Sequence, residues 1–348
     1  EPIHFKIPSP YNEIYKATGE YYIPNFSYNS NSILGVNAFN ETSVQNLIRS
    51  WYGILNTSLR PSSDFPEPFA GFINEVLKIK PQILQDRANQ LFKVVGSRPQ
   101  VLPPDTRHVD YNVIPLSLSE GCLYKCAFCE VKNNRPFSTR MTGEVEKQIE
   151  QLKQLYGRNL VNYNAIFFGD HDALNSNEDF IIQHAQKAIE QFGLHNSYMQ
   201  GCSLYFFGSV DSFLTSNYFL FQQLEQMGCR TFINLGLESA DQTTLDYIGK
   251  PISAKQVNES FKRMMSINQE FHNIEITANF ILGEELPPEH YSSFLQLARE
   301  GLDHPLNKGT IYFSPLLSTM PSRSMLFYFN QIKRLSRLPT YLYTIQRL

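Results

Sequence analysis

From about residue 108 onward, short runs of apolar residues alternate with longer stretches in which apolar side chains recur every three or four positions. The short runs indicate β-strands, and the longer stretches indicate amphipathic helices. Six strands are predicted, at residues 112–118, 164–168, 203–208, 231–237, 275–282 and 310–313. Helices are predicted between them, at residues 142–156, 178–192, 217–227, 254–268 and 288–301. This alternation predicts an α/β protein of parallel βα units, folded as a partial (βα)6 TIM-like barrel.

The two ends of the chain lack this alternation. Before the barrel, the pattern predicts helices at 41–56 with Asn40 as the N-cap, at 69–78 and at 81–94, joined by proline-rich turns. We therefore divide the chain into a mainly helical or irregular extension (1–107), the barrel (108–318) and a short helical tail (319–348). The extension either caps the barrel or shapes access to it, and the pattern leaves both roles open.

Three of the five cysteines lie close together, directly after the first predicted strand. Cys122, Cys126 and Cys129 are spaced Cys-x3-Cys-x2-Cys, so that one loop can direct their thiolates at a single point. Clustered thiolates suit soft metals and iron–sulfur clusters. A structural zinc site or an ordinary ferredoxin cluster takes four protein ligands. With three nearby cysteines, a four-iron cluster keeps one iron open to a small-molecule ligand.

The motif Cys122-x3-Cys126-x2-Cys129 resembles the signature of the radical S-adenosylmethionine (radical SAM) superfamily. The resemblance implies that the three cysteines bind a 4Fe-4S cluster whose open iron chelates SAM. It also implies that one electron cleaves SAM to methionine and a 5′-deoxyadenosyl radical, which abstracts hydrogen from a substrate. Phe128 corresponds to an aromatic residue that lies near the adenine in that family. The barrel most resembles the branch of methylthiotransferases, Elongator-type proteins and cobalamin-dependent enzymes.

The C-terminal ends of parallel strands meet at one mouth, where such folds collect their chemistry. Gly169 and Asp170 follow the second strand, where the family has a glycine-rich turn and a glutamate that hold the SAM ammonium group. Glu238 and Ser239 follow the fourth strand and resemble family residues near the SAM ribose or its polar tail. The other expected SAM contacts are Ser209, after the third strand, and Leu316, beyond the sixth.

Three further polar residues are expected at the same mouth and are candidates for contact with the substrate. His171 and Asp172 follow the second strand, and Arg135 follows the cysteine loop. A histidine or a carboxylate there could transfer a proton, and an arginine could meet an acidic group. The substrate itself is not identified by these residues.

Composition adds limits on partners and compartment. The formal net charge of −3 gives no strong signal for nucleic-acid binding, and no apolar run is long enough to predict a membrane span. The odd number of cysteines and the tight triplet favour a reducing compartment. We therefore expect an oxygen-sensitive cytoplasmic enzyme that takes electrons from an external reductant such as a ferredoxin or flavodoxin. Cys202 and Cys229 are interpreted as small buried residues.

Residue types and motifs that the sequence lacks exclude several classes of radical SAM enzyme. The two remaining cysteines are too few to hold a second four-iron cluster, which argues against sulfur-inserting enzymes. The first hundred residues contain no Asp-x-His-x-x-Gly motif, and no acetyltransferase-like region follows the barrel, so the accessory domains of the resembling branch are not expected. Three hypotheses remain. The first is a radical SAM enzyme that abstracts hydrogen from an unidentified substrate, and the second is an enzyme that cleaves SAM in another way or consumes it as a group donor. The third is a non-catalytic iron–sulfur or zinc-binding protein that uses the loop for structure or electron transfer.

Overall fold

The computed structural model describes residues 42–59, 66–96, 103–108, 113–129, 135–302, 308–316 and 323–343. The main sheet has seven strands, and every neighbouring pair is parallel, in the order β1-β4-β5-β6-β7-β8-β9. Its strands are β1 (Val113–Pro115), β4 (Ala165–Asp172), β5 (Ser203–Gly208), β6 (Arg230–Glu238), β7 (Ile274–Leu282), β8 (Ile311–Pro315) and β9 (Thr340–Leu342). A second, antiparallel pair consists of β2 (Ser119–Glu120) and β3 (Ser138–Thr139). The expectation of a partial TIM-like α/β barrel is confirmed.

Helices connect the parallel strands, as the alternating pattern predicts. Before the sheet come α1 (Thr42–Ser58), α2 (Glu67–Lys78) and α3 (Pro81–Val95). Within the barrel come α4 (Thr142–Tyr156), α5 (Glu178–Phe192), α6 (Val210–Thr215), α7 (Tyr218–Gln226), α8 (Gln242–Tyr247), α9 (Ala254–Glu270), α10 (Glu289–Leu295) and, after the sixth strand of the sheet, α11 (Arg323–Leu335). The short α6 and α8 were not predicted, because two turns of helix give too little periodicity to recognise. The predicted N-cap Asn40 lies outside the described residues.

The sheet divides the core into two parts because side chains alternate between its faces. On β5, Leu204 and Phe206 pack into the large cluster between the sheet and the helices. Tyr205, between them, belongs to a smaller cluster with Ala165 and Phe167 on the other face. That second face is the barrel interior, and its aromatic rings are in contact, with Tyr205 stacked on Phe232 at a centroid distance of 5.3 Å.

A turn that precedes the barrel is tied into its interior. The 3-10 turn Pro104–His108 carries Asp105, which is buried. One Asp105 carboxylate oxygen accepts a hydrogen bond from Thr277 Oγ1 at 2.9 Å, and the other accepts one from the Tyr312 hydroxyl at 2.8 Å. A buried carboxylate of this kind is stabilised by such donors, so the turn Pro104–His108 is part of the packed barrel.

The C-terminal segment differs from the helical tail that the sequence predicts. After α11, residues Thr340–Leu342 form β9, which pairs in parallel with β8 and extends the sheet. Three residues are too few for a strand pattern to be recognised, and pairing with β8 creates this strand. The boundary predicted at residue 318 therefore leaves one strand of the sheet outside the predicted barrel segment.

The interpretation of Cys202 and Cys229 as two separate buried thiols is wrong. Both side chains are buried, but they form a disulfide with Cα atoms 4.5 Å apart. Each cysteine immediately precedes a strand, β5 or β6, and the two strands are neighbours in the sheet. The alignment of β5 with β6 brings the two cysteines, 27 positions apart, into contact. The spacing of the cysteines along the sequence does not predict this alignment.

In the part of the chain that the structure describes, no helix combines the length and the apolarity that crossing a membrane requires.

Candidate functional site

The cysteine loop leaves the sheet at the C-terminal end of β1 and is closed at its base by backbone contacts. The short strands β2 and β3 pair across the base, and Cys122 and Pro136 form an isolated bridge. Gly121 has φ of +73°, and a Cβ there would lie 2.3 Å from the carbonyl oxygen of Pro136. Glycine is therefore required at 121, both for its left-handed backbone and for the close approach of the returning chain.

Replacing Gly121 with alanine is expected to destabilise the fold by about 2 kcal/mol or more, because the left-handed backbone and the steric conflict both oppose a side chain. Gly143 in α4 is a matched control, since nothing lies within 4 Å of a Cβ built there. Urea unfolding of Gly121→Ala and Gly143→Ala measures both effects. Equal unfolding free energies in the two variants would show that the base of the loop is not tightly closed.

The three loop cysteines carry thiols in a partly buried setting. Cys126 is buried, and Cys122 and Cys129 are half-buried. Burial raises the pKa of the Cys122 thiol to about 12, and the neighbouring Cys129 and the Asp172 carboxylate raise it further. Burial also raises the pKa of Cys126. Thiolates are therefore unfavourable here without a bound cation, whereas coordination to a metal deprotonates a thiol outright. This donor set fits a soft metal centre.

Tyr124 anchors the loop to the turn after β5. Its hydroxyl donates to Asp211 Oδ2 at 2.7 Å and accepts from the Asp211 backbone N–H at 3.1 Å. The other Asp211 oxygen accepts from Gln256 Nε2 at 2.9 Å. Burial, the largest cause, raises the pKa of the Tyr124 hydroxyl. The hydroxyl therefore stays protonated at neutral pH and holds the loop against α6 and α9.

A buried ion pair lies on the other side of the loop. Lys250 Nζ donates to Glu238 Oε1 at 3.2 Å, and both side chains are almost fully buried. The same ammonium lies 5.5 Å from the centre of the Tyr124 ring. Gly249, just before it, has φ of +63°, and a Cβ there would be 2.9 Å from Cβ of Ala127 in the cysteine loop. The chain after α8 therefore packs directly on the loop.

Glu238 itself has an uncommon backbone. Its φ is +63°, the one positive value for a non-glycine residue among the described residues. This conformation costs free energy and is found where the surroundings fix it, often at functional sites. Gly236 leaves room for the ion pair, since a Cβ there would lie 2.7 Å from Glu238 Oε1 and 3.0 Å from Lys250 Nζ. Strand β6 thus ends at Glu238, whose backbone is strained and whose carboxylate lies beside the buried Lys250 ammonium.

Asp172 ends β4 and lies near the cysteine loop. Its side chain is buried, and Oδ1 accepts from Ser212 Oγ at 2.8 Å. Its other oxygen, Oδ2, is buried and makes no hydrogen bond of standard geometry among the described residues, although Ser209 and the Asn175 backbone lie close enough to lower the pKa of the carboxyl group. Burial raises the pKa of this carboxyl group, against the hydrogen bonds that lower it. An unsatisfied buried carboxylate oxygen is costly, so a ligand that donates to it would be bound favourably.

The sequence-predicted residues occupy several different settings. Gly169 has φ of +103° and lies beside Ser117, as a glycine turn requires. Asp170 and His171 lie within β4, but their side chains are outside the described part of the structure. Phe128 packs against the main core, and Leu316 is half-buried next to Gly283.

Two of the predicted SAM residues have structural roles in the fold. Ser209 is the N-cap of α6, and its hydroxyl accepts from the Ser212 backbone N–H. Ser239 is fully buried, and its oxygen accepts from the Asp241 backbone N–H at 3.1 Å. The His290 ring lies 2.8 Å from the Ser239 oxygen and donates from its other nitrogen to the Ile281 carbonyl. In that tautomer the Ser239 hydroxyl donates to His290. The hydroxyls of Ser209 and Ser239 are therefore both engaged in hydrogen bonds within the protein.

Arg135, expected to contact substrate, pairs with Glu120 at 3.0 Å and is 71% exposed. Arg140 pairs with the same carboxylate at 2.7 Å. Both contacts cross the β2–β3 hairpin, so they stabilise the base of the cysteine loop, although an exposed pair contributes little.

The burial of His290 predicts a pH dependence of stability. Burial lowers the pKa of His290 to about 4, against an ordinary value of 6.5. Between these two pH values the unfolded chain takes up a proton that the folded chain does not, so the free energy of unfolding falls as the pH falls. The full effect is about 3 kcal/mol.

In His290→Gln, we expect the change in unfolding free energy between pH 7 and pH 4 to be about 3 kcal/mol smaller than in the parent protein. The exposed His272 supplies the control variant His272→Gln, which should keep the pH dependence of the parent protein. Denaturant titrations at several pH values measure the difference. An unchanged pH dependence in His290→Gln would contradict a buried neutral imidazole.

Sequence reasoning did not select Tyr124, Lys250 or His290, and it placed Asp172 with the substrate. The partners of Tyr124 and His290 lie 87 and 51 positions away along the chain, so no local pattern reveals them. Lys250 is close to Glu238 along the chain. Its distance of 12 positions from Glu238, across one short helix, was the available signal.

Comparison with known families identifies the class of protein that this site belongs to. The family model described as the radical SAM superfamily matches residues 116–298, more than half of the chain. The chain therefore belongs to the radical SAM superfamily and is an enzyme of that family. Enzymes of this family use a 4Fe-4S cluster and SAM as cofactors.

Three solved structures are similar to this chain at low sequence identity. The cobalamin-dependent S-adenosylmethionine radical enzyme OxsB, with aqua-cobalamin bound, is 14% identical with a TM-score of 0.39, over 65% of this chain and 31% of OxsB. SuiB from Streptococcus suis, bound to the precursor peptide SuiA, is 13% identical with a TM-score of 0.42, over 86% of this chain and 62% of SuiB. Methylornithine synthase (PylB) is 10% identical with a TM-score of 0.39, over 76% of this chain and 78% of PylB. The chain thus spans about a third of the length of OxsB. No curated protein sequence matches it significantly.

Proposed function

We propose that Cys122, Cys126 and Cys129 hold one 4Fe-4S cluster and that the enzyme abstracts hydrogen from a substrate at the barrel mouth. The observation that carries this proposal is the closed loop of three thiols near the buried Oδ2 of Asp172. When bound, the cluster supplies the electron that cleaves SAM to methionine and a 5′-deoxyadenosyl radical, which takes the hydrogen atom. Three ligands leave one iron available for SAM.

Asp172 supplies the acceptor for the SAM ammonium group in this proposal. The role was expected for Asp170, whose side chain lies outside the described part of the structure; Asp172 is the described carboxylate beside Cys122, and its Oδ2 is buried. Ser212 Oγ holds the other oxygen at 2.8 Å, and Ser209 in turn caps the helix that carries Ser212. A charge-assisted hydrogen bond from an ammonium group would satisfy Oδ2 and compensate the burial of the carboxylate. Ser209 is thereby assigned to positioning Asp172.

Glu238 and Lys250 bind the other polar parts of SAM. The strained backbone of Glu238 directs its carboxylate toward Lys250 and the loop, where it can accept from ribose hydroxyls. The buried Lys250 ammonium suits the SAM carboxylate and also favours the thiolate forms of Cys126 and Cys122. Ser239 fixes the turn after Glu238 through His290. Phe128 and Leu316 offer apolar surface to the adenine.

The substrate occupies the mouth, with His171 and Arg135 as the polar contacts proposed for it. An external reductant such as a ferredoxin or flavodoxin delivers the electron. We place the enzyme in the cytoplasm, where a reducing environment preserves the loop thiols. The proposal assigns no nucleic-acid partner.

Anaerobic turnover tests this function against a non-catalytic iron–sulfur or zinc-binding protein. The chain is reconstituted with iron and sulfide, reduced with dithionite and given SAM, and 5′-deoxyadenosine is measured by liquid chromatography. We expect about four irons per chain and 5′-deoxyadenosine that depends on both dithionite and SAM. A fully loaded protein that never cleaves SAM would support the non-catalytic alternative. Zinc in place of iron after reconstitution would do the same.

A further inference from the structure

We propose that Cys202, Cys229 and His195 form a second, redox-gated site for a soft metal ion such as zinc, at the end of the barrel opposite the cysteine loop. The loop follows the C-terminal end of β1, whereas Cys202 and Cys229 precede the N-terminal ends of β5 and β6. Residues at that end of a parallel barrel usually serve stability. The site is therefore separate from the proposed cluster and SAM residues.

The geometry brings three ligand atoms together. One nitrogen of His195 and the two cysteine sulfurs all lie within 4.8 Å of one another. The cysteines are buried, and the histidine is exposed, so the imidazole lies between the sulfurs and solvent. Two thiolates and an imidazole are the ligand types that zinc prefers, and water can complete a tetrahedral site.

The fold fixes His195 in this place rather than leaving it on a loose loop. Helix α5 ends at Gly193 in a left-handed conformation, and the 3-10 turn Leu194–Asn196 follows, with Leu194 buried. The Asn196 backbone N–H donates to the Gly193 carbonyl at 2.9 Å. The His195 ring lies 3.8 Å from the Cβ position of Gly228, the residue just before Cys229. The ring therefore packs against the chain that carries one of the sulfurs.

The disulfide and the metal are alternative states of the same three residues. A dithiol reductant breaks the Cys202–Cys229 bond by thiol–disulfide exchange, which leaves two thiols on the protein and a disulfide on the reductant. Zinc then replaces the two thiol protons, which are released to solvent, and accepts the neutral imidazole. Tetrahedral zinc needs sulfurs about 3.8 Å apart, given Zn–S bonds of about 2.3 Å, and rotation of the two side chains supplies that separation. In the reverse step a disulfide oxidant accepts two electrons and two protons to become two thiols, the Cys202–Cys229 bond forms again, and the zinc ion is released.

Zinc retention by the full-length, cluster-loaded protein tests this proposal, because the loaded cluster occupies the loop cysteines. The protein is treated with a phosphine or left oxidised, then incubated anaerobically with zinc, desalted and analysed for metal. We expect about one zinc per chain after reduction and none in the oxidised protein. Zinc X-ray absorption should show two sulfur ligands and at least one nitrogen.

His195→Ala and Cys202→Ser should bind zinc at least about tenfold more weakly, whereas His272→Ala, at another exposed histidine, should bind as the parent does. His195 is exposed, so replacing it tests the metal site without removing the disulfide. Unchanged zinc affinity in His195→Ala would overturn the proposal. A reduced protein that retains no zinc, or a disulfide that resists reduction, would also overturn it.

Discussion

Replacing Cys126 with alanine is expected to abolish the 4Fe-4S cluster and, with it, all SAM cleavage. Cys126 is the buried member of the three loop cysteines, and two thiolates cannot hold a four-iron cluster stably. Iron per chain should fall from about four to well below one. Iron and sulfide analysis after anaerobic reconstitution measures the loss, and the 5′-deoxyadenosine assay measures its consequence.

Cys202→Ser is the matched control, because it also removes one buried sulfur but does so at the opposite end of the barrel. It should keep the iron content and the SAM cleavage of the parent. A Cys126→Ala variant that retains full iron and cleaves SAM would show that the loop does not hold the cluster.

Replacing Asp172 with asparagine is expected to weaken SAM binding by about 10- to 100-fold while the iron content stays unchanged. The expected size follows from the loss of one charge-assisted hydrogen bond to a buried oxygen. An asparagine amide can still accept from Ser212 through its oxygen, but its nitrogen would face the SAM ammonium group with donors. Isothermal titration of the reconstituted, oxidised protein with SAM gives the affinity.

Asp179→Asn provides the control, since Asp179 is an exposed carboxylate in the first turn of α5. Its affinity for SAM should equal that of the parent. If Asp172→Asn binds SAM as tightly as the parent, the ammonium group is held elsewhere, and Asp170 becomes the preferred residue.

The regular parts of the barrel could be predicted because local periodicity determines them. Strands such as Ser203–Gly208 and helices such as Glu178–Phe192 have the bounds that the pattern indicates. The cysteine spacing predicts the family, and the family match confirms it. The third strand of the prediction was correct because its apolar run is buried on both faces, as parallel strands usually are.

Features that depend on register or on distant contacts could not be predicted. In β4 the pairing with β5 shifts between Phe167 and Asp172, so counting positions along the strand does not show that Asp172 lies near Cys122. The disulfide between Cys202 and Cys229 depends on the alignment of two neighbouring strands. The hydrogen bond from Tyr124 to Asp211 joins the cysteine loop to helix α6, 87 positions further along the chain.

The position of Glu238 is a further case. A strand pattern predicts extended backbone through residue 237 and says nothing of a left-handed residue directly after it. The next residue, Ser239, forms a buried hydrogen bond with His290, which lies 51 positions further along the chain. Polar residues with such long-range partners are the part of this site that the sequence leaves undetermined.

SAM is expected to bind to the open iron of a cluster held by Cys122, Cys126 and Cys129. Electron paramagnetic resonance of the dithionite-reduced, reconstituted protein, recorded before and after SAM is added, tests it most directly. We expect the signal of a reduced 4Fe-4S cluster whose g-values change on addition of SAM, and a smaller change in Asp172→Asn at the same SAM concentration. A cluster signal that is identical with and without saturating SAM would contradict the binding of SAM to the open iron.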